Sequence, residues 1–370
     1  YETCRDNPTV LRLNSVHNPM RVNQRFLLFP HFAILQALKK FQPDIIHAHE
    51  PLQTAWAGNA YARRHHIPIT MTVHQLPAFA ASYLPNMPTL RRHIESLLWM
   101  YAHWLIKQFT SVITPSHTTS GLLTAFTGIK ATTVSNGIDL QRFHPPLSSD
   151  DGTATRSRLN LPSNVPILLH IGRLDTDKGV DKVIRAAAPA ICESEAHLVV
   201  VGDGCEKNSL MNLCQTLGIA HRVNFTNVFS DQKYLAEIYR MASLFIMASE
   251  IETQGIVLLE AAASGLPIVA VDATCISEIV HDQVNGYLAK PGDIAGLSDS
   301  IITLLNDPER ALMMGMEGRT LVEAHDIHKT WSLHETLYLG LVKSTPTRQV
   351  LKKGQRLGKR KLMKSWMGFK

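Results

Sequence analysis

The sequence lacks the features that would assign it to a membrane-spanning, secreted or zinc-binding class. No uninterrupted apolar run reaches about 18 residues, which argues against a membrane span. Residues 1–8 contain no basic region followed by an apolar core, so no signal peptide is predicted. The five cysteines include no C-x-x-C pair, a pattern that predicts reduced thiols in a cytoplasmic protein and argues against zinc despite 18 histidines.

The composition is that of an ordinary globular protein, but the charge is unevenly distributed. With 45% hydrophobic and 18% charged residues, neither disorder nor a coiled coil is indicated, and 370 residues suffice for two domains. The formal net charge is +6, yet residues 343–370 alone contain ten Lys and Arg and no acid. The rest of the chain has 27 basic and 31 acidic residues, so we interpret the basic character as a property of the C-terminal tail.

Short apolar runs alternate with stretches of helical periodicity along most of the chain. This alternation is typical of βαβ units and parallel sheets. The predicted strands lie at residues 10–13, 44–47, 69–73, 111–114, 132–134, 167–171, 197–201, 223–226, 244–247, 268–271 and 286–288. The predicted helices lie at residues 31–41, 53–66, 88–109, 179–190, 206–217, 231–242, 256–264, 293–306, 309–325 and 329–342, and one more is capped near Ser116.

This pattern predicts an α/β protein of two doubly wound, Rossmann-like domains. A linker is predicted at about residues 137–160, where turn and polar residues show no periodicity. The predicted boundaries are 1–145 for the first domain, 146–328 for the second, 329–342 for a C-terminal helix and 343–370 for the basic tail. A doubly wound sheet normally opens with a strand and a glycine-rich turn, and none precedes Val10. We therefore expect the first domain to be truncated at its N-terminus.

The segment 248–267 has the pattern of an active-site element. A polar loop and Gly255 follow a predicted strand, and a helix with apolar residues on nearly every face comes next. Glu260 lies in the middle of that helix and needs a polar partner if it is buried. Glu252 lies just before the helix start, where free backbone N–H groups attract anions. On this pattern alone, a structural ion pair for Glu260 and a solvated Glu252 explain the sequence equally well.

The loop 172–179 follows a predicted strand, so it is expected at the carboxyl edge of the sheet, where ligands bind. Its two cations, Arg173 and Lys178, suit a diphosphate. We interpret Asp175 and Asp177 as solvated loop acids rather than metal ligands.

The segment 201–204 resembles the start of a dinucleotide fingerprint. Asn208 replaces its last small residue, and no acid follows about 20 residues later. The match is therefore weak, although a nucleotide could still lie against this turn.

These motifs together resemble the family-4 retaining glycosyltransferases, which have the GT-B fold. The residues that carry the likeness are Gly172-Arg173 with Lys178-Gly179, Val201-Gly-Asp-Gly204, Ser135-Asn-Gly-Ile-Asp139, and Glu252-x-x-Gly255 with Glu260 before Ala-Ala-Ala-Ser-Gly-Leu-Pro267. The resemblance extends over about residues 44–325. It implies two Rossmann-like domains that face each other across a cleft, with a nucleotide-sugar donor in the second and an acceptor held largely by the first.

The resemblance also implies roles for single residues. Arg173 and Lys178 would bind the donor diphosphate, Glu260 the ribose, and Glu252 would lie near the sugar. The implied donor-binding set is Gly172, Arg173, Lys178, Gly202, Glu252, Gly255, Ile256, Val257 and Glu260, and the implied catalytic set is His74, Glu252, Arg173 and Lys178. The family usually needs no metal, so neither a metal nor another cofactor is expected. Transfer with retention is usually explained by front-face attack, in which the leaving diphosphate accepts the acceptor's proton.

His74 follows a predicted strand of the first domain and matches the family's Thr-x-His position. The resemblance places it in the cleft, where it would hydrogen-bond the sugar or the acceptor; a structural hydrogen-bonding role is the alternative. His47, His49 and Glu50 also resemble the family pattern, but we expect His47 to pack in the sheet and do not assign a metal site to them.

The acceptor is less clearly encoded than the donor. The predicted helix 88–109 carries an apolar row at positions 90, 94, 97, 98, 101 and 105, which fits core packing. Nearby Arg and Trp residues and the basic tail 343–370, which includes Trp366, fit an anionic membrane surface instead. A basic tail also suits nucleic-acid binding or simple solubility. Given the family resemblance, we expect a lipid or lipid-linked acceptor, no nucleic acid, and a peripheral position on the inner face of a membrane.

Two other functions remain open from the sequence. A GT-B relative such as a sugar-nucleotide epimerase would turn over a donor without transfer. An inactive sugar-nucleotide or lipid-binding protein is the other, because the glycine-rich opening turn is missing. A dehydrogenase is disfavoured by the broken fingerprint at residues 202–208.

Overall fold

Two parallel β-sheets, one in each half of the chain, form the framework of the protein. The computed structural model describes residues 10–17, 25–49, 51–82, 87–147, 152–227 and 231–345. Within these residues the first half contains a four-stranded parallel sheet and a separate two-stranded hairpin, and the second half contains a six-stranded parallel sheet. The predicted α/β class with one sheet per domain is therefore confirmed.

The first half begins with an antiparallel hairpin in which Ser15 lies opposite Leu27. Its elements in chain order are β1 (Ser15–His17), β2 (Arg25–Leu27), α1 (Pro30–Phe41), β3 (Ile46–Ala48), α2 (Gln53–His65), β4 (Ile69–Thr72), α3 (Pro77–Ser82), α4 (Pro88–Ile106), β5 (Ser111–Thr114), α5 (His117–Thr127) and β6 (Thr132–Thr133). The parallel sheet has the order β3-β4-β5-β6, so each strand pairs with the next along the chain.

The second half contains the larger sheet, which has the strand order β12-β11-β10-β7-β8-β9. Its elements are α6 (Thr153–Arg158), β7 (Ile167–Ile171), α7 (Val180–Glu193), β8 (His197–Val201), α8 (Lys207–Thr216), β9 (Val223–Thr226), α9 (Gln232–Met241), β10 (Leu244–Met247), α10 (Ile256–Ala263), β11 (Ile268–Val271), β12 (Gly286–Ala289), α11 (Ile294–Asn306), α12 (Pro308–Val322) and α13 (Ile327–Ser344). Strands β8 and β9 are added on one side of β7, and β10, β11 and β12 on the other. The order of strand addition therefore changes sides at β7. Open α/β sheets bind ligands at such a topological switch point.

Four strands of the second sheet, β7, β8, β10 and β11, coincide with nearly continuous apolar runs. Strands β7, β10 and β11 are buried along their whole length. Such runs are typical of parallel strands covered by helices on both faces. In the first half, the predicted cap of α5 is present, because the Ser116 side chain accepts a hydrogen bond from the Thr119 backbone N–H. Local apolar content and caps therefore account for most of the element positions.

Two local predictions are wrong. Residues 10–13 form no strand, and the first strand lies at Ser15–His17 because it pairs with Arg25–Leu27 rather than following the apolar run before it. The predicted linker is also partly helical, since α6 begins directly after Gly152. Glu50 and the tail beyond residue 345 lie outside the described residues.

The C-terminal helix α13 connects the two halves. At its start the Ile327 N–H donates to the Ile138 carbonyl, and further along Tyr338 contacts His47 on β3. Ile138 and Phe143, which the predicted boundary at residue 145 assigns to the first domain, pack in the core of the second. Among the described residues, no helix is both long enough and apolar enough to cross a membrane.

The packing of α12 on the turn after α10 leads to a stability prediction. A Cβ atom added at Gly315 would lie 1.9 Å from the Gly265 carbonyl oxygen, whereas one added at Gly121 in α5 meets nothing within 4 Å. We expect Gly315→Ala to lower the free energy of unfolding by about 1–3 kcal/mol, because α12 must move away from a rigid backbone. Gly121→Ala should leave it unchanged or raise it by up to about 1 kcal/mol. Chemical denaturation measures both, and equal stability of the two variants would contradict the close packing.

Candidate active site

A cavity of about 380 Å³ lies where strands of both halves end. Its walls are formed by the last residues of β7 and β10 and by the loops that follow β4, β7 and β10, so it lies at the carboxyl edges of both sheets. The predicted site residues that line it are His74, Gly172, Arg173, Lys178, Glu252, Gly255, Ile256 and Val257. Gly202 and Glu260 are not among its lining residues. Most of the predicted site therefore comes together in one place.

Lys178 and Glu252 form an ion pair inside this cavity. The Lys178 Nζ lies 2.6 Å from the Glu252 Oε1, and both side chains are largely buried. Lys178 Nζ also lies 5.5 Å from the centre of the Phe79 ring of α3, in the first domain. Of the two alternatives left open for Glu252, a solvated carboxylate is therefore wrong. A buried charge pair fixes the position of both groups at the start of α10.

The other cation of the loop, Arg173, is held by two carboxylates. Its guanidinium donates to Asp175 and, at 2.7 Å, to the Asp177 Oδ2. Both aspartates are buried, so their interpretation as solvated loop acids is wrong. They orient Arg173, which still lines the cavity, instead of facing water.

Helix α10 begins at the cavity with free amide groups. Gly255 precedes it in the left-handed region, at φ 78°, a conformation that glycine adopts without strain. The first N–H groups of a helix have no intrahelical acceptor, and the helix dipole adds positive potential there. Ile256 and Val257, the first two helical residues, line the cavity. This helix start can bind an anion.

Glu260 lies one helical turn beyond Ile256 on the same side of α10. Its Oε2 accepts a hydrogen bond of 2.7 Å from the hydroxyl of Tyr239, so the partner is a neutral phenol and not the Lys or Arg of the ion-pair interpretation. Burial raises the pKa of Glu260 to about 7, against the lowering effects of the Tyr239 hydrogen bond and of Arg142. The carboxyl group therefore titrates near neutral pH.

Close packing, and not the cavity, explains why residue 202 is a glycine. A Cβ atom there would lie 2.0 Å from the Gly172 carbonyl oxygen. The turn after β8 therefore packs directly on the turn after β7, which carries Arg173. Gly202 thus allows the turn after β8 to pack against the loop that carries Arg173. Its predicted contact with a donor stays a prediction.

The loop Glu252–Gly255 is also bound to the first domain. The Thr253 carbonyl accepts from the Ser116 hydroxyl at 2.6 Å, and the Thr253 hydroxyl donates to the His74 carbonyl at 3.2 Å. The Gln254 Oε1 accepts from the Asn136 N–H at 2.9 Å. Thr253, Gln254 and Asn136 all line the cavity. Thr253 and Gln254 were not predicted site residues, because they occupy the unspecified positions of Glu252-x-x-Gly255 and their partners lie far along the chain.

Histidines of the first domain cluster next to the cavity and close to α13. The Nε2 of His74 and the Nδ1 of His49 lie 3.0 Å apart, and His47 lies between Thr72 and Tyr338 at 2.7 and 2.5 Å. Burial, followed by the His49 imidazole, lowers the pKa of His74, so its ring is neutral at pH 7. His47 packs at the sheet edge as expected. A second cavity of about 650 Å³ adjoins these rings and shares His74 with the first.

His170 also lines the cavity, although it was not among the predicted site residues. It is buried on β7, and its Nδ1 donates to the Ile246 carbonyl at 2.9 Å. Burial lowers the pKa of His170 to about 4, so Nε2 is an unprotonated acceptor. It supports the turn at Gly172, whose added Cβ would lie 3.3 Å from Nε2.

Two family models match this chain. The model described as glycosyltransferase family 4 matches residues 2–142, and the model described as glycosyl transferases group 1 matches residues 151–321. Because the first match begins at residue 2, it gives no support to the predicted truncation of the first domain.

Curated relatives agree with these matches. The GDP-mannose-dependent alpha-mannosyltransferase of Mycobacterium tuberculosis is 31% identical, over 76% of this chain and 69% of the relative. Sulfoquinovosyl transferase SQD2 of Arabidopsis thaliana is 28% identical over 79% of this chain and 56% of its own length. The alpha-monoglucosyldiacylglycerol synthase of Streptococcus pneumoniae is 28% identical over 75% and 63%. The chain thus spans between about half and two thirds of the length of these relatives.

Solved structures show the same fold at lower identity. Sucrose-phosphate synthase from Thermosynechococcus elongatus superposes with a TM-score of 0.72 at 24% identity, over 92% of this chain and 87% of that chain. HepE from Anabaena, solved with UDP-glucose, superposes with a TM-score of 0.71 at 22% identity, over 83% and 81%. These superpositions cover both halves of the molecule and show the GT-B fold. The two family models and the similarity to the mannosyltransferase show that the protein belongs to the family-4 glycosyltransferases, the glycosyl transferases group 1.

Proposed function

We propose that the protein transfers a sugar from a nucleotide-diphosphate sugar to an acceptor and retains the anomeric configuration. The observation that carries this proposal is the Lys178–Glu252 pair at the start of α10, which faces His74 of the first domain across one cavity. A diphosphate placed there would meet Lys178, Arg173 and the helix amides. Binding to these groups strengthens as charge develops on the leaving diphosphate, which is how a transferase site lowers a barrier.

The cavity favours front-face attack over a covalent intermediate. Among its described lining residues Glu252 is the one carboxylate, and it is already paired with Lys178. Retaining glycosidases instead use two carboxylates about 5–5.5 Å apart. We propose that the leaving diphosphate accepts the acceptor's proton while Lys178 and Arg173 stabilise its charge. His74, neutral at pH 7, would orient a hydroxyl of the sugar or the acceptor. No metal is required by this scheme.

The donor is proposed to be UDP- or GDP-linked. One relative is named for its dependence on GDP-mannose, and a structural neighbour was solved with UDP-glucose. The proposed contacts of Arg173, Lys178 and α10 involve the diphosphate, which both donor types share. The ribose would lie toward Glu260, which is on the same side of α10 as Ile256.

The acceptor is proposed to be a membrane lipid such as diacylglycerol or phosphatidylinositol. A relative with 28% identity is named as a synthase of monoglucosyldiacylglycerol. The ten Lys and Arg of residues 343–370 would bind an anionic membrane surface, each contributing roughly 1 kcal/mol close to the lipid. We place the enzyme as a peripheral protein on the cytoplasmic face, in line with the expected reduced thiols.

Replacement of Lys178 tests the phosphate site. The wild type should release free nucleotide from one donor of a nucleotide-sugar panel, and faster when vesicles containing diacylglycerol or phosphatidylinositol are present. Lys178→Ala should lower this rate by about 100-fold or more, since a group that stabilises the leaving charge is lost. Lys182→Ala is the matched control, because Lys182 of α7 pairs with Glu250 in the loop after β10 and does not line the cavity. Near-normal turnover of Lys178→Ala would remove the assignment, and a wild type that releases nucleotide without glycosylating any lipid would remove the proposed acceptor.

The raised pKa of Glu260 gives the proposed ribose contact a pH signature. With a pKa of about 7, the carboxyl group is mostly protonated at pH 6 and mostly ionised at pH 8. An ionised carboxylate accepts stronger hydrogen bonds from ribose hydroxyls. Calorimetry with UDP or GDP should show that the wild type binds about tenfold more tightly than Glu260→Gln at pH 8, with a smaller ratio at pH 6. A ratio that stays constant with pH would place the ribose elsewhere.

Charge reversal tests the tail in the full chain. The triple variant Lys359→Glu, Arg360→Glu, Lys361→Glu changes the charge of the tail by six units. We expect co-sedimentation with vesicles containing phosphatidylglycerol to fall several-fold at low salt, since the tail's attraction is electrostatic. Unchanged co-sedimentation at low salt would show that the tail has no membrane role.

A further inference from the structure

Helix α4 exposes an apolar row to solvent. Leu90, Leu97, Met100 and Trp104 follow at spacings of seven, three and four residues, so they share one face of the helix. Their side chains are 39%, 59%, 61% and 50% exposed. Core contacts are made by another face, which includes the buried Leu105. Core packing therefore does not account for this exposed row, and large contiguous apolar patches on a protein surface usually mark an interaction site.

Aromatic side chains of α2 and α4 extend the same surface. The Trp56 Nε1 of α2 donates to the Tyr101 hydroxyl at 3.0 Å, and the Tyr101 ring lies 5.9 Å from the Trp104 ring. Trp56 is half-exposed like Trp104. Amphipathic Trp and Tyr rings are enriched at the boundary between lipid and water.

The charges around this row are almost all positive. Lys107 is exposed just after the row, and Arg63 and Arg64 are exposed on α2, whereas Arg92 is exposed on a different face of α4. The one acidic residue of α2 and α4 is Glu95. Residues 1–145 as a whole contain 13 Lys and Arg against six Asp and Glu. The first domain is therefore basic in its own right, and the interpretation of the basic character as a tail property alone is corrected.

We propose that this α2–α4 face docks the first domain on an anionic lipid bilayer. The α2–α4 face is defined by Trp56, Arg63, Leu90, Leu97, Met100, Trp104 and Lys107. Exposed apolar side chains would enter the lipid while the flanking cations contact anionic headgroups. A second copy of the chain fits less well, because a twofold contact would bring two like-charged faces together without acidic partners.

The α2–α4 face is connected to the cleft. Helix α3 packs against α4 and also against the turn Thr176–Lys178 of the second domain. Phe79 of α3 contacts Lys178 there. Helix α3 therefore joins α4 to the cationic loop of the proposed donor site. This inference rests on the lipid-acceptor part of the proposed function, although binding to vesicles is measured without any donor.

The test uses the full chain with Leu97→Asp and Met100→Asp, two changes at exposed positions that should not affect folding. Vesicles contain phosphatidylcholine with or without phosphatidylglycerol, some with brominated acyl chains that quench inserted tryptophan. The wild type should float with the anionic vesicles, and Trp104→Phe should remove a large part of the quenching. The double variant should lose at least about tenfold in bound fraction at 0.1–0.15 M salt, roughly the physiological range.

The matched control is Leu312→Asp with Met313→Asp, which alters an equally exposed apolar pair on α12 in the second domain. It should float like the wild type. Unchanged flotation of the α4 variant, or quenching that does not depend on Trp104, would overturn the proposal. So would a wild-type dimer in vesicle-free solution that the α4 variant abolishes, since the α2–α4 face would then bind a second copy. If flotation behaves as proposed but no donor is turned over, the proposed function alone fails.

Discussion

The site depends on one loop, Glu252–Gly255, that is bound by both domains at once. Within the second domain Glu252 is paired with Lys178, and Gly255 starts α10. The two residues between them bind the first domain, through Ser116, His74 and Asn136. A change in the angle between the domains would therefore either move the loop that carries the predicted sugar and phosphate contacts or break these hydrogen bonds. The two halves of the cleft are coupled by hydrogen bonds and not only by the chain connection.

Charge compensation is the second constraint on the cleft. Each cation proposed for the diphosphate already has a carboxylate partner, since Arg173 is held by Asp175 and Asp177, and Lys178 by Glu252. An unpaired buried charge would be costly, so these partners keep the ligand-free site stable and the cations oriented. A diphosphate would add negative charge beside Glu252, and the helix amides at Ile256 and Val257 can offset that repulsion. The pairing thus preorganises the site.

The sequence predicted local structure better than it predicted contacts. The bounds of β7, β8, β9, β10 and β11 agree with the predicted ranges. Four of these strands are nearly continuous apolar runs, whereas β9 alternates apolar and polar residues. The prediction of solvated Asp175 and Asp177 is wrong, because their burial depends on how the loop folds around Arg173. The roles of Thr253 and Gln254 had no local signal, since their partners lie more than 100 residues away along the chain. Pattern thus predicts elements, while pairing across domains needs the three-dimensional arrangement.

The division of charge between the domains has a consequence for orientation. Residues 1–145 contain 13 basic and six acidic residues, whereas residues 146–342 contain 14 basic and 25 acidic ones. An anionic surface would attract the first domain and repel the second over about one Debye length, roughly 8–10 Å in physiological salt. Together with the α2–α4 face, this asymmetry would orient the molecule with its proposed acceptor side on the lipid and its donor side toward water. A lipid acceptor and a water-borne nucleotide sugar could then reach the same cavity from opposite directions.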